Sequence, residues 1–146
     1  MSNKKRIPAI EGWFTLDDAP RLLGRRDPKS GTVFFPKDVA VSCAPGYDQV
    51  PLEDVALSRT GRLWSYTTNH YQPPEPYVSA DPFVPYTVAA VELTQERMVV
   101  MGQLAEGVDP TTLEVGMEME LVLGTLYEDD ENEYVVWKWK PTAAAA

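Results

Sequence analysis

A mainly β fold that closes on itself is predicted by three observations on the sequence. Residues 86–93 and 98–104 are β-rich runs joined by the polar Thr94-Gln95-Glu96-Arg97, the length and chemistry of a four-residue hairpin loop. In Val115-Gly116-Met117-Glu118-Met119-Glu120-Leu121-Val122-Leu123 the apolar side chains recur at every second position, with Glu118 and Glu120 between them. A period of two marks a strand with one buried and one solvated face. Between hairpin and third strand, Asp109-Pro110-Thr111-Thr112-Leu113 reads as an N-cap, a proline at the first helical position and a single turn. One turn is too short to cross a parallel sheet, so an antiparallel sheet is expected.

The remaining elements follow in chain order. Residues 1–11 read as an extended or disordered lead, and Glu11-Gly12-Trp13-Phe14 then sets two large aromatics side by side in a polar context. Trp13 and Phe14 either staple the arm to its own domain or anchor a partner. Asp17-Asp18-Ala19-Pro20-Arg21-Leu22-Leu23-Gly24 has aspartates at its start and a glycine stop, the pattern of a short capped helix. Asp27-Pro28 and Ser30-Gly31 mark a turn, Thr32-Val33-Phe34-Phe35 a short strand closed by Pro36, and Ser42-Cys43-Ala44-Pro45-Gly46 a second turn. Two turns flanking a short strand outline a zinc ribbon, but the first turn holds no cysteine and the second only Cys43.

From Ser58 onward the pattern is firmly β. Residues 63–71 form an aromatic- and threonine-rich strand with Trp64, Tyr66, Thr68 and His70 on one face. Residues 72–85 are proline-rich, too stiff for a helix and too poor in donors for a sheet, and Tyr77 and Phe83 within them either cover the sheet or meet a partner. The acidic run 128–133 reads as a solvated hairpin loop before a last strand, residues 134–140, and 143–146 as a frayed tail. This divides the chain into an arm, short helix and degenerate ribbon (1–57), a five-stranded barrel domain (58–141) and a tail (142–146).

Composition limits the function classes. A chain of 146 residues, 44% of them hydrophobic, buries one real core. The charged start runs into Pro8 and Glu11 and no apolar run reaches membrane-span length, so a cytoplasmic protein off the membrane is expected. Cys43 and the lone His70 cannot fill a tetrahedral zinc site, so no metal is expected. The net charge of −9 is uneven: residues 1–37 carry +4 and the rest −13. Arg25, Arg26 and Lys29 are the one basic cluster dense enough to suggest an anion site.

Five strands with a helical turn between the third and fourth match the OB-fold, a small partly open Greek-key barrel. Here the chain resembles a known family, the acyl-CoA-associated OB-fold proteins with a rubredoxin-like zinc ribbon in front. The resemblance rests on Arg21-Leu22-Leu23, Val33-Phe34-Phe35-Pro36, Gly61-Arg62-Leu63-Trp64-Ser65-Tyr66-Thr67, Pro85-Tyr86-Thr87-Val88-Ala89-Ala90-Val91-Glu92-Leu93 and Val115-Gly116-Met117-Glu118-Met119-Glu120-Leu121-Val122, in that order, and covers residues 11 to 140. It implies an accessory subunit of a thiolase-fold enzyme. The Leu-Trp-Ser-Tyr of the first strand and the Val-Trp-Lys-Trp near the end are similar to partners of sterol-carrier-type aldolases that shorten steroid side chains as CoA thioesters. On this reading the substrate of the complex is an acyl-CoA, Arg25, Arg26 and Lys29 face CoA phosphates, and Trp13, Phe14, Phe34, Phe35, Tyr77 and Phe83 meet the partner. The departure is the ribbon, where Val33, Phe34, Phe35 and Val39 would pack in place of the metal.

The residues themselves offer little catalytic equipment. No Gly-x-Ser-x-Gly elbow, phosphate loop or dinucleotide fingerprint is present, and His70 is a weak candidate for a general base. Two other classes compete with the accessory subunit. A nucleic-acid module would use Trp64, Tyr66, Trp137 and Trp139 as stacking platforms, but its barrel lies in the part of the chain that carries the −13, where a phosphate backbone needs a positive groove. A free-standing acyl-CoA carrier or thioesterase would lack a catalytic set.

Overall fold

The computed structural model describes residues 3–142. Five strands close into a barrel: β5 (Thr60–Asn69), β6 (Tyr86–Leu93), β7 (Met98–Leu104), β8 (Glu118–Glu128) and β9 (Asn132–Pro141). They follow one another in space as β5-β6-β7-β9-β8, and β8 returns to β5. The mainly β class and the OB barrel expected from the sequence are therefore present. The purely antiparallel sheet is not, because β7 runs parallel to β9 through Gln103↔Lys138 and Leu104↔Trp139. Five is odd, and a closed ring of alternating strands cannot have an odd number of members. One parallel seam is a consequence of closure.

The hairpin of β6 and β7 turns on Arg97, whose φ of 57° lies in the left-handed region, and its amide donates to the Leu93 carbonyl. The expected helical turn is a 3-10 turn, Pro110–Thr112, with Asp109 as its cap accepting the Thr111 amide. The acidic loop is a tight turn: Asp129 accepts the amides of Glu131 and Asn132 and the Tyr134 hydroxyl. Those bonds hold its carboxyl below the usual range.

In front of the barrel, β2 (Leu23–Arg26) is the centre of a small antiparallel sheet with β3 (Val33–Phe34) and β4 (Glu53–Ala56). The short helix expected over residues 17–24 is absent. Asp17 accepts the Thr15 hydroxyl and the Ala19 amide in a local turn, and Pro20 denies the next turn an amide. Leu23 then pairs with Ala56 in register, so long-range pairing wins over a weak local helical signal. The lead is likewise ordered, with β1 (Lys5–Pro8) parallel to the start of β9.

The core is continuous across both parts. Leu63, Ala89, Val91, Leu93, Met119, Leu121, Val135 and Trp139 fill the barrel, and Leu22 and Leu57 extend the cluster into the ribbon. Gly61 shows how tightly the strands approach: a Cβ there would stand 2.4 Å from the Glu92 carbonyl oxygen and 2.8 Å from a Val91 methyl.

Candidate docking surface

Trp13, Phe14, Phe35, Tyr77 and Phe83, all outside the barrel strands, each pack against another ring of the chain. Trp13, Phe14 and Phe35 surround Trp137, with ring centroids 5.6 to 6.0 Å apart and Trp13 stacked on Trp137 at 26°. Phe14 is 5% exposed, and the cluster fastens the arm and ribbon to the barrel. Phe34 lies in β3, opposite Arg25 of β2. Tyr77 stacks on Tyr86 and accepts a hydrogen bond from Gln103 at 2.9 Å, and Phe83 meets the edge of Tyr86, so the proline-rich connection lies over β6 and β7. Of the six residues expected to meet a partner, Phe14 is buried by this packing and Trp13, Phe34, Phe35, Tyr77 and Phe83 are half-buried. Runs that look gratuitous in sequence are the glue between ribbon, loop and barrel.

The basic cluster is also occupied. Arg25 donates to Asp54 and to the Val39 carbonyl, and Arg26 to Glu53, each at 3.0 Å. Asp54 and Glu53 are the cross-strand neighbours in β4, so each arginine meets a carboxylate across the ladder. Lys29 is exposed, as Arg26 is, and it alone of the three is outside these pairs. An anion site built from all three is not assembled. His70 lies exposed just beyond the end of β5, and no cluster of metal-ligating side chains forms among the described residues.

Of the four aromatics considered as stacking platforms, Trp139 is fully buried and Trp137 is 8% exposed, donating its indole N–H to the Met101 carbonyl. Trp64 and Tyr66 remain. The β5–β6 register shifts between Leu63 and Ser65, a bulge that leaves Trp64 without a partner in β6 and breaks the single face expected for residues 64, 66, 68 and 70. Leu63 exchanges backbone hydrogen bonds with Gly116 and Met117, and the Tyr66 hydroxyl donates to the Leu113 carbonyl. These bonds lay residues 113–117 alongside β5. Trp64 (61% exposed), Tyr66 (40%) and Val115 (70%) thereby share one region of the surface. Glu114 and Glu118 in the adjoining segment and Glu92 on the next strand are exposed carboxylates nearby, and exposed Arg62 is the ladder partner of both Glu92 and Glu118. The alternation of β5 set Trp64 and Tyr66 on one face, but the bulge at Trp64 and the approach of Val115 are long-range features that it does not show.

The two ribbon turns meet through Asp27, which is fully buried. One carboxylate oxygen accepts the amides of Lys29 (2.8 Å) and Ser30 (3.1 Å), and the other accepts the Ser42 hydroxyl at 2.7 Å. The Ser42 oxygen in turn accepts the Ala44 amide at 3.2 Å. The Cys43 sulfur is exposed and faces the Val41 carbonyl. These donors do not suit the zinc that a ribbon implies: there is no inward thiolate or imidazole, and the carboxylate oxygens are already taken. Burial pushes the Asp27 carboxyl up, but the hydrogen bonds from Ser42, Ser30 and Lys29 outweigh it and hold it at about 2 against an ordinary 3.8. A depressed carboxyl stabilises the fold fully above its unfolded value and loses that contribution as pH falls towards the folded one. The amides of Ser30 and Ala44 are therefore expected to lose hydrogen-exchange protection between about pH 4 and pH 2, before the barrel amides do.

The class defined by this geometry is an OB-fold barrel with a ribbon in front, an exposed aromatic patch and no assembled catalytic set among the described residues. Residues 54–124 match the family described as "ChsH2, C-terminal OB-fold domain". These residues lie in the OB-fold part of the chain, and the likeness supports the resemblance to acyl-CoA-associated OB-fold proteins, DUF35, that the sequence carries. It is 29% identical over 134 residues to a DUF35 domain-containing scaffold protein of Methanothermobacter thermautotrophicus, covering 90% of this chain and 95% of the relative. A probable enoyl-CoA hydratase alpha subunit of Thermomonospora curvata is 31% identical over 119 residues, which is 82% of this chain but 34% of that protein. Among solved structures, a chain of the Ltp2-ChsH2(DUF35) aldolase superposes with a TM-score of 0.59 at 27% identity, over 83% of this chain and 84% of that one. No helix among the described residues is long and apolar enough to cross a membrane.

Proposed function

We propose that this chain is the non-catalytic OB-fold subunit of a heteromeric thiolase-like aldolase acting on acyl-CoA thioesters. The observation that carries the reading is the likeness to the aldolase chain over more than four-fifths of both proteins. The substrate favoured by the sequence resemblance is a steroid side-chain β-hydroxyacyl-CoA. In the retro-aldol step a base takes the proton of the β-hydroxyl, the Cα–Cβ bond breaks to leave a carbonyl compound, and the released CoA-thioester enolate is protonated at Cα. Acid and base belong to the thiolase-fold partner, because the described residues of this chain bring no nucleophile and base within reach of one another. The exposed patch of Trp64, Tyr66 and Val115 supports a role in docking: an apolar centre whose neighbours are acidic on balance, Glu92, Glu114 and Glu118 against Arg62, suits a partner face that is apolar and rimmed by lysine or arginine.

A second reading is favoured by the DUF35 scaffold proteins of Methanothermobacter thermautotrophicus and Pyrococcus furiosus, of which the chain covers 95% and 87%. It makes this chain a scaffold within a thiolase or acyltransferase complex. Cleavage assays separate the two. The isolated chain is expected to be inert towards a steroid β-hydroxyacyl-CoA, and the thiolase-fold subunit to gain activity on mixing. A partner fully active without this chain, or cleavage by this chain alone, removes the aldolase reading. Stable assembly without any change in cleavage favours the scaffold.

A further inference from the structure

We propose that the ribbon is a metal-independent module in which Asp27 takes the place and the cross-linking role of a metal ion. The two turns share one pattern, Asp27-Pro28-Lys29-Ser30-Gly31 and Ser42-Cys43-Ala44-Pro45-Gly46. Each ends in a glycine of left-handed φ, 79° at Gly31 and 83° at Gly46. A zinc ribbon draws its ligands as two pairs spaced by two residues, one pair per turn. At that spacing this chain has Asp27 with Ser30 and Ser42 with Pro45.

Asp27 and Ser42 are both first in their turns, both buried, and joined directly by the 2.7 Å hydrogen bond. A metal centre in a ribbon ties one turn to the other and gives the inward-pointing amides an anionic partner. Asp27 does both: it accepts the amides of Lys29 and Ser30 in its own turn and reaches across to Ser42, which accepts the Ala44 amide in the other. A buried carboxylate that receives three hydrogen bonds is satisfied without a cation. Val33 and Phe35 pack against the continuous hydrophobic core that joins ribbon and barrel.

The ribbon of this chain is thus independent of zinc supply and of thiol oxidation. The test uses the full chain, produced in zinc-supplemented medium. Wild-type protein is expected to retain no stoichiometric zinc, and its unfolding to be unchanged by a strong chelator. The variants D27N and S42A are expected to lower hydrogen-exchange protection at the Ser30 and Ala44 amides by roughly tenfold or more, with the Val91 and Val100 amides of the barrel unaffected. The variant D27C/S30C/S42C/P45C is expected to bind cobalt(II) with a thiolate charge-transfer band and to become chelator-sensitive. Zinc held stoichiometrically by the wild type and released with loss of ribbon protection overturns the proposal. So does unchanged protection in S42A, which removes only a hydroxyl and serves should D27N fail to fold. Failure of the folded four-cysteine variant to take up cobalt shows that the four positions do not converge and counts equally against it.

Discussion

Replacing Trp137 by alanine is expected to lower the stability of the chain by about 3–5 kcal/mol, the range for deleting a buried tryptophan. Three aromatic rings from outside the barrel strands, Trp13, Phe14 and Phe35, pack against this one indole, and its N–H satisfies the Met101 carbonyl at 3.0 Å. Truncation therefore removes both the transfer energy of the ring and the surface on which arm and ribbon rest. The denaturation midpoint should fall, and the ribbon amides should lose protection more than those of β6. W137F separates the contributions: it keeps an aromatic surface but orphans the Met101 carbonyl, and its cost should be nearer 1–2 kcal/mol. A loss below about 1 kcal/mol for W137A would show that Trp137 does not fasten ribbon to barrel.

How far the sequence revealed this arrangement depended on the range of the interactions. Local signals were mostly reliable: the hairpin at 94–97, the Asp109 cap and the alternation from Glu118 to Leu121 recur in the structure, while Val115, expected on the buried face of that strand, lies ahead of it and is 70% exposed. The helix expected at 17–24 failed because its signal was a few tenths of a kcal/mol per residue over eight residues. Pairing of β2 with both β3 and β4 outweighs that. The site fared similarly. Arg25 and Arg26 form a conspicuous cluster in sequence, yet their carboxylate partners lie more than twenty-five residues away, where no local pattern connects them. Asp27 was read as a turn residue, which it is. Its second carboxylate oxygen reaches Ser42 only through the ribbon fold. One signal for it was available, since Asp27 stands where the first cysteine of a ribbon turn would stand.

Replacing Trp64 by alanine is expected to weaken the complex with the thiolase-fold partner by about 1–3 kcal/mol, a five- to 150-fold rise in Kd, while leaving the stability of the isolated chain within about 0.5 kcal/mol. The two halves of that expectation have one origin. Trp64 is 61% exposed and sits in a bulge with no β6 partner, so little of the fold rests on it. A tryptophan held on a rigid barrel strand loses little conformational freedom on burial and offers a large apolar area, the usual make-up of an interface hot spot. The rim supplies an independent check. Reversing the charge of Glu114 or Glu118 should slow association and flatten its dependence on ionic strength, because rim charges act mainly on the encounter rate. Titration calorimetry on W64A and V115A, with stopped-flow association on E114K and E118K, measures both. An unchanged Kd for W64A together with full cleavage in the reconstituted complex would move the docking surface elsewhere on the barrel. The groove of about 250 Å³ lined by Val88, Met101, Leu126 and Val136 is then the next apolar surface to probe.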